Sequence, residues 1–165
     1  MKKLIKYTIY LLVCLTVSAY ALEALFSYYS YHGTLRNKIK WVKSMEKNPP
    51  YDYILLGSSR TLNFLQPKRI DSLTGLQGIN LAIDASGPLE LKLMLKEYLK
   101  KGTPSYVFVQ TDYRTEETPD PLGSIPWMPY IIEQDIFNAF KPYGKYYSYY
   151  HYIPYYRYAK FGPKI

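Results

Sequence analysis

A continuous apolar stretch near the N-terminus constrains this chain more than any other feature. Residues 7–26 carry a single charge, that of Glu23, and three lysines precede them. Twenty residues of α-helix rise about 30 Å, which is the thickness of the hydrocarbon core of a bilayer. We therefore predict a basic tail at residues 1–6 and a transmembrane helix at residues 7–27.

A cleaved signal peptide is the alternative interpretation of the same stretch. Its apolar region would be residues 7–17, and Ala19-Tyr20-Ala21 has the small-x-small pattern of a cleavage site. Because the apolar run continues to Phe26, the sequence favours an uncleaved anchor. A basic tail before a first apolar segment usually stays in the cytoplasm, which would place the rest of the chain outside the membrane. Basic residues also follow the span, so charge alone leaves the orientation open.

Residues 28–50 are predicted to form a juxtamembrane stalk. Leu35, Ile39 and Val42 recur at helical spacing among basic residues, and Pro49-Pro50 ends the segment. We expect either a solvated connecting helix or an amphipathic helix that rests on anionic headgroups.

Residues 51–165 begin with the alternating strands and helices of an α/β domain. The pattern predicts strands at residues 53–56, 78–82 and 106–109, a helix at residues 67–73, and a second helix that starts at Ser86-Gly87-Pro88 and is stopped by Gly102. Strands without polar alternation indicate a parallel sheet with both faces covered. Ligands of such sheets bind at the carboxyl ends of the strands. Those ends are Ser58 and Ser59, residues 83–86, and Thr111 and Asp112.

The pattern is lost after Asp112. Residues 115–129 hold four prolines and are predicted to be a long loop, and residues 130–140 are predicted to be one helix. Nine of the 21 tyrosines then fall within residues 143–158. This run could stack on sugars or on single-stranded nucleic acid, but packing within a larger domain is the better interpretation. A three-stranded parallel sheet has two unpaired edges, so we expect this chain to be the N-terminal part of a longer domain.

Composition excludes several classes of protein. The chain is 48% hydrophobic and 21% charged, which excludes a disordered tail, and its one cysteine excludes a disulfide framework. The sequence has no metal-ligand spacing and no phosphate-binding glycine loop. A net charge of +8 would suit an anionic partner without identifying it. We expect no cofactor, no metal and no nucleic acid.

Three segments at the predicted strand ends resemble the SGNH/GDSL hydrolase superfamily. YILLGSSRT (residues 53–61) resembles its first block, with GSS in place of GDS, and GINLAIDASG (residues 78–87) resembles its second. VFVQTDYR (residues 107–114) stands where the family has its Gly-x-Asn-Asp block. The anchor and IPYYRYAKFG (residues 153–162) further resemble uncharacterised membrane-anchored bacterial members, of the kind seen in Bacteroidetes. The resemblance implies an incomplete three-layer α/β/α parallel sheet, SGNH- or flavodoxin-like, over residues 51–165.

The resemblance also implies a set of site residues. Ser59 matches the family's nucleophile, Ser58 the usual aspartate, and Asp112 most nearly the asparagine. An ionised carboxylate donates no hydrogen bond, so Asp112 departs from the oxyanion role of that asparagine. The oxyanion donors would be the Ser59 N–H and one group from Ala82, Asp84 or Ser86. Serines after a strand are also common N-cap residues, which is the alternative interpretation of Ser58 and Ser59.

The family's catalytic base lies in a D-x-x-H block, and neither His32 nor His151 has an aspartate three residues earlier. We therefore expect the base to lie outside this chain. The resemblance implies a single-pass protein of the bacterial inner membrane whose bulk faces the periplasm. It would be a serine esterase or O-acyltransferase acting on an acylated envelope polysaccharide, with membrane lipid and a membrane acyltransferase as partners. The alternative is a non-catalytic scaffold or glycan-binding protein with a degenerate SGNH fold.

Overall fold

A computed structural model describes residues 1–33, 37–111, 119 and 121–159. The chain divides into two compact units. One is Leu35–Trp127, here called the sheet unit, and the other joins Met1–Thr34 to Met128–Ile165 and is called the helical unit.

The described residues form nine α-helices, three strands and two short 3-10 helices. The strands are β1 (Tyr53–Leu56), β2 (Gly78–Asn80) and β3 (Tyr106–Val109). The α-helices are α1 (Lys2–His32), α2 (Lys38–Ser44), α3 (Ser59–Phe64), α4 (Pro67–Thr74), α5 (Pro88–Leu99), α6 (Pro121–Ser124), α7 (Gln134–Phe140), α8 (Tyr146–Tyr152) and α9 (Tyr156–Ala159). The 3-10 helices are Ile125–Tyr130 and Lys141–Tyr143.

The sheet unit contains a small parallel sheet with strand order β2-β1-β3. The predicted parallel arrangement is confirmed, and the bounds of β1 and β3 agree with those predicted. The four side chains of β1 are at most 2% exposed, whereas those of β3 are 40–54% exposed. The expectation that both faces of the whole sheet are covered is therefore wrong for β3. The described helices bury the central strand and leave this edge strand open.

Tyr53 anchors β1 to helix α4. Its hydroxyl donates to Asp71 Oδ1 at 2.6 Å, and the hydroxyl oxygen also lies 3.2 Å from the Pro67 carbonyl oxygen. Tyr53 pairs with Gly78 of β2, where an added Cβ would lie 1.9 Å from the tyrosine ring. The glycine at position 78 is therefore needed to make room for the aromatic ring.

Helix α2 belongs to the core of the sheet unit. Asn37 caps it by accepting the Ile39 N–H at 2.8 Å, and both Ile39 and Val42 are completely buried. Glu97 of α5 accepts from Lys43 Nζ of α2 at 2.9 Å. Burial alone would raise the pKa of Glu97, but the hydrogen bonds from Lys100 and Lys43 outweigh it and lower that pKa. The part of the predicted stalk that α2 covers thus packs with the α/β elements.

The helical unit combines α1 with the helices that follow residue 127. Helix α1 has no buried residue and is long and apolar enough, by length and composition, to cross a membrane.

The predicted loop at residues 115–129 is helical from Pro121 onward, as α6 and the first 3-10 helix. The predicted helix at residues 130–140 starts only at α7, because Glu133 has an extended backbone (φ −73°, ψ 127°).

Candidate functional site

The parallel sheet brings the carboxyl ends of its three strands to one edge. Hydrogen bonds continue just past the strands, from Leu81 N–H to the Leu55 carbonyl (2.9 Å) and from Ile83 N–H to the Gly57 carbonyl (3.2 Å). On the other side of β1, Gln110 N–H donates to the Leu56 carbonyl at 2.9 Å. The residues that follow each strand therefore lie beside one another, as the sequence predicts.

Gln110 holds the turn after β1. Its Oε1 accepts the Thr61 N–H at 3.0 Å and the Thr61 hydroxyl at 2.7 Å, and the Ser58 hydroxyl lies 3.5 Å away. The sequence patterns do not single out Gln110 as a site residue. The usable signal was the strand register: once β3 pairs with β1, the first polar residue after β3 must face the turn after β1.

Gly57 allows this turn to be tight. A Cβ at position 57 would lie 2.1 Å from Thr61 Oγ1 and 2.9 Å from Gln110 Cβ. Any side chain there would displace the Thr61–Gln110 pair, which explains the glycine in the GSS sequence.

Asn80 supports the turn from the side of β2. Its Nδ2 donates to the carbonyls of Thr61 (2.8 Å) and Leu65 (2.9 Å), which joins the end of β2 to helix α3. Its Oδ1 accepts the Ala82 N–H at 3.0 Å and Lys38 Nζ at 3.3 Å. Burial lowers the pKa of Lys38 to about 8. Asn80 is not among the predicted site residues either, although a polar residue inside an apolar strand is itself a signal.

Ser59 is the first residue of α3 and follows the N-cap residue Ser58. The Ser58 hydroxyl makes no capping hydrogen bond, so its alternative role as a side-chain cap is not observed. Ser59 is half-buried, and its hydroxyl has no hydrogen bond to any residue that the structure describes. The Ser59 hydroxyl is thus the uncommitted nucleophilic group in this turn.

Two of the predicted oxyanion donors are already hydrogen-bonded within the fold. The Ala82 N–H donates to Asn80 Oδ1, and the Ser86 N–H donates to the Ile83 carbonyl at 3.3 Å, so the fold already uses both. Asp84 is exposed on a turn next to Ala85, whose φ is 54°. Asp112, which stands in place of the family's asparagine, lies outside the described residues.

Both histidines of the chain lie in the helical unit. His32 Nδ1 lies 3.0 Å from the Tyr28 carbonyl, and the two rings stack. His151 Nδ1 lies 2.8 Å from the Ile131 carbonyl, and its ring stacks on Phe137 with centroids 4.0 Å apart. The sequence of the sheet unit contains no histidine, so the unit that holds Ser59 carries no imidazole base.

An open groove of about 390 Å³ lies against α3 and β3. Its lining includes Thr61 and Gln110 but not Ser59. The other lining residues are Leu56, Arg60, Phe64, Leu65, Phe108 and Val109. The groove is mostly apolar and includes exposed side chains of β3, so it can receive an apolar group.

Comparison of the chain with protein-family models, with curated proteins and with solved structures finds no match. Within the described ranges, no three His, Cys, Asp or Glu side chains come together in a group that could hold a metal ion.

Proposed function

We propose that this chain belongs to a membrane-anchored SGNH-type serine esterase or O-acyltransferase that acts on an acylated envelope glycan. One observation carries the proposal: the Ser59 hydroxyl has no hydrogen bond among the described residues and lies after the central strand of a parallel sheet. The resemblance of GSSRT and of the two later segments to SGNH blocks supports the same role. The anchor is α1, and the bulk of the chain faces the periplasm in this proposal.

The proposed reaction forms an acyl-serine ester. Ser59 Oγ attacks the ester carbonyl carbon of the substrate, its proton passes to the base, and the tetrahedral oxyanion collapses with release of the alcohol, which takes up that proton. Water then attacks the acyl-serine in an esterase, or a second sugar hydroxyl attacks it in a transferase. In this proposal the base comes from outside this chain, because neither His32 nor His151 has the aspartate three residues earlier that the family's base block carries.

The groove and the open strand suit this proposal. An apolar groove lined by Arg60 and Thr61, which follow Ser59 in α3, is suited to the acyl part of an ester substrate. The exposed side chains of β3 support a larger three-layer α/β/α sheet, in which further elements cover that strand.

A fluorophosphonate probe tests the nucleophile in the full protein within its native membranes. We expect covalent labelling of the wild type, no labelling of Ser59→Ala, and labelling of the matched control Ser58→Ala. The neighbouring serine has the same chemistry, so the pair separates a specific nucleophile from general serine exposure. Undiminished labelling of Ser59→Ala would overturn the assignment.

A non-catalytic scaffold or glycan-binding protein is the second candidate. The absence of histidine from the sheet unit favours it. In that case the wild-type protein stays folded in native membranes and is not labelled, because an unactivated serine does not react with the probe.

A further inference from the structure

Helices α7 and α8 of the helical unit present opposite kinds of surface. The exposed positions of α7 include Gln134, Asp135 and Asn138, as expected for a helix that faces water. The exposed positions of α8 include Tyr146, Tyr149 and Tyr152, spaced three residues apart on one side of the helix. Tyr147 and Tyr150 face inward and are buried, so α8 has a packed side and an exposed tyrosine side.

An exposed row of tyrosines has a specific chemical preference. The ring is apolar and the hydroxyl is polar, so tyrosine is enriched where apolar chains meet water at the surface of a bilayer. Lys141 and Lys145 are also exposed just before α8, and lysines near a membrane surface attract anionic headgroups. The surface therefore fits the interfacial layer of a membrane better than bulk water.

The helices after residue 127 are fixed to one end of α1. Arg157, which is 2% exposed, donates to the carboxylate of Glu23 and, at 3.0 Å, to Ser27 Oγ. Tyr155 N–H donates to Glu23 Oε2 at 2.8 Å. The lone charge in the apolar part of α1 thus has a cationic partner in the C-terminal helices.

Aromatic contacts extend this attachment toward the end of α1. The ring centroids of Phe26 and Tyr155 lie 5.1 Å apart, and those of Tyr31 and Tyr130 lie 5.6 Å apart. The contacts therefore run along α1 from Glu23 to Tyr31, whereas the first half of the helix is exposed on all sides.

The position of this attachment sets its depth if α1 spans a bilayer. At 1.5 Å per residue, the apolar residues 7–26 cover about 30 Å, the full hydrocarbon thickness. Glu23 lies near the end of that span, and Tyr31 lies about 7 Å beyond Phe26, within the headgroup layer. The C-terminal helices are therefore attached at the level of the interface.

We propose that the tyrosine side of α8 rests in the headgroup layer of the same bilayer that α1 spans, with anionic lipid as its partner. The inference rests on the anchoring role of α1 and is independent of any chemistry at Ser59. It assigns the tyrosine-rich segment a role in holding the helical unit against the membrane.

Nitroxide labels at single cysteines test this depth in the full chain. The protein is placed in nanodiscs of equal parts phosphatidylethanolamine and phosphatidylglycerol, and each label is relaxed by oxygen, which concentrates in the bilayer, or by a water-soluble nickel chelate. The native Cys14 is the deep reference. Tyr152→Cys, at a side chain that is 69% exposed, and the matched control Asn138→Cys are made in a Cys14→Ser background.

We expect the oxygen-to-nickel ratio to be highest for Cys14, intermediate for Tyr152→Cys and lowest for Asn138→Cys. Tyr149→Cys is a second position on the same side and should give the same depth as Tyr152→Cys. If both tyrosine positions match Asn138→Cys while Cys14 remains deep, the tyrosine side faces water and the proposal is wrong. If the Cys14 label is itself open to nickel, α1 does not span the bilayer and the inference fails, whatever the fluorophosphonate probe shows at Ser59.

Discussion

Strands β1 and β3 lie side by side and have the same kind of sequence, a tyrosine followed by three apolar residues. In register, Tyr53 pairs with Tyr106 and Leu55 with Phe108. Nevertheless β1 is buried along its whole length and β3 is about half exposed. An apolar run thus determines that a strand forms, while the elements packed around the strand determine whether its side chains are buried in the core. The pair also provides matched positions for substitution.

The largest difference is expected between Leu55→Ala and Phe108→Ala. Leu55 is buried, so its truncation leaves a cavity and should cost about 2–5 kcal/mol of unfolding free energy. Phe108 is 53% exposed, and its truncation should cost roughly 1 kcal/mol, through its ring contacts with Tyr53 and Tyr106. Denaturant unfolding in detergent measures both changes. Trp41 and Trp127 both lie in the sheet unit, so tryptophan fluorescence reports on that unit. Equal losses of unfolding free energy for the two variants would contradict the difference in burial between β1 and β3.

Gly78→Ala should be the next largest effect, and it acts on β1 through its partner strand. The new methyl group would overlap the Tyr53 ring and should cost about 1–3 kcal/mol. A double-mutant cycle with Tyr53→Leu gives the coupling, because the smaller side chain leaves room for the methyl group. Additive losses in the double variant would show that the ring is not the cause.

Tyr53→Phe compared with Tyr106→Phe isolates the buried hydroxyl. Removing the hydrogen bond from Tyr53 to Asp71 should cost about 1–2 kcal/mol at neutral pH, whereas the change at exposed Tyr106 should be close to zero. Burial and the Asp71 carboxylate raise the pKa of Tyr53 above its ordinary value of 10.0. The folded pKa exceeds the unfolded one, so this contribution is present below pH 10 and is lost as the pH rises beyond it.

Unfolding midpoints measured from neutral pH to above pH 10 test that sign. The wild type should lose stability more steeply above pH 10 than Tyr53→Phe does. Parallel curves for the two proteins would contradict the buried hydroxyl as the source.

Val107→Thr is expected to have the smallest effect. The side chain is 40% exposed, so the change should stay within about 0.5 kcal/mol, whereas the paired Ile54→Thr removes buried apolar surface and should cost several times more. A loss above about 1 kcal/mol for Val107→Thr would show that β3 is covered in solution.

Local sequence signals account for much of this fold. Proline at the first turn and Gly75 with φ 73° delimit α4, and Pro88 opens α5, as predicted. The second strand ends at Asn80 rather than at Ala82, although hydrogen bonds from the Leu81 and Ile83 N–H groups to the segment of β1 continue past it. The prolines after residue 118 predict a loop, yet Pro121 begins α6, because proline is tolerated in the first turn of a helix.

The surroundings of the site were harder to predict. The strand ends identified Ser58 and Ser59, but the hydrogen bonds of Gln110 and Asn80 depend on strand register, which no local pattern contains. The partner of Glu23 was equally hidden, since Arg157 lies far along the chain. The catalytic role of Ser59 and the domain bounds drawn from sequence stay predictions.

The pairing of Glu23 with Arg157 also has a consequence for the order of synthesis. The two residues are 134 positions apart, with the whole sheet unit encoded between them. At the usual 5–20 residues per second, a ribosome makes the arginine about 7–27 s after the glutamate. The helical unit therefore closes only after the sheet unit has been translated, and α1 spends that interval without its partner helices.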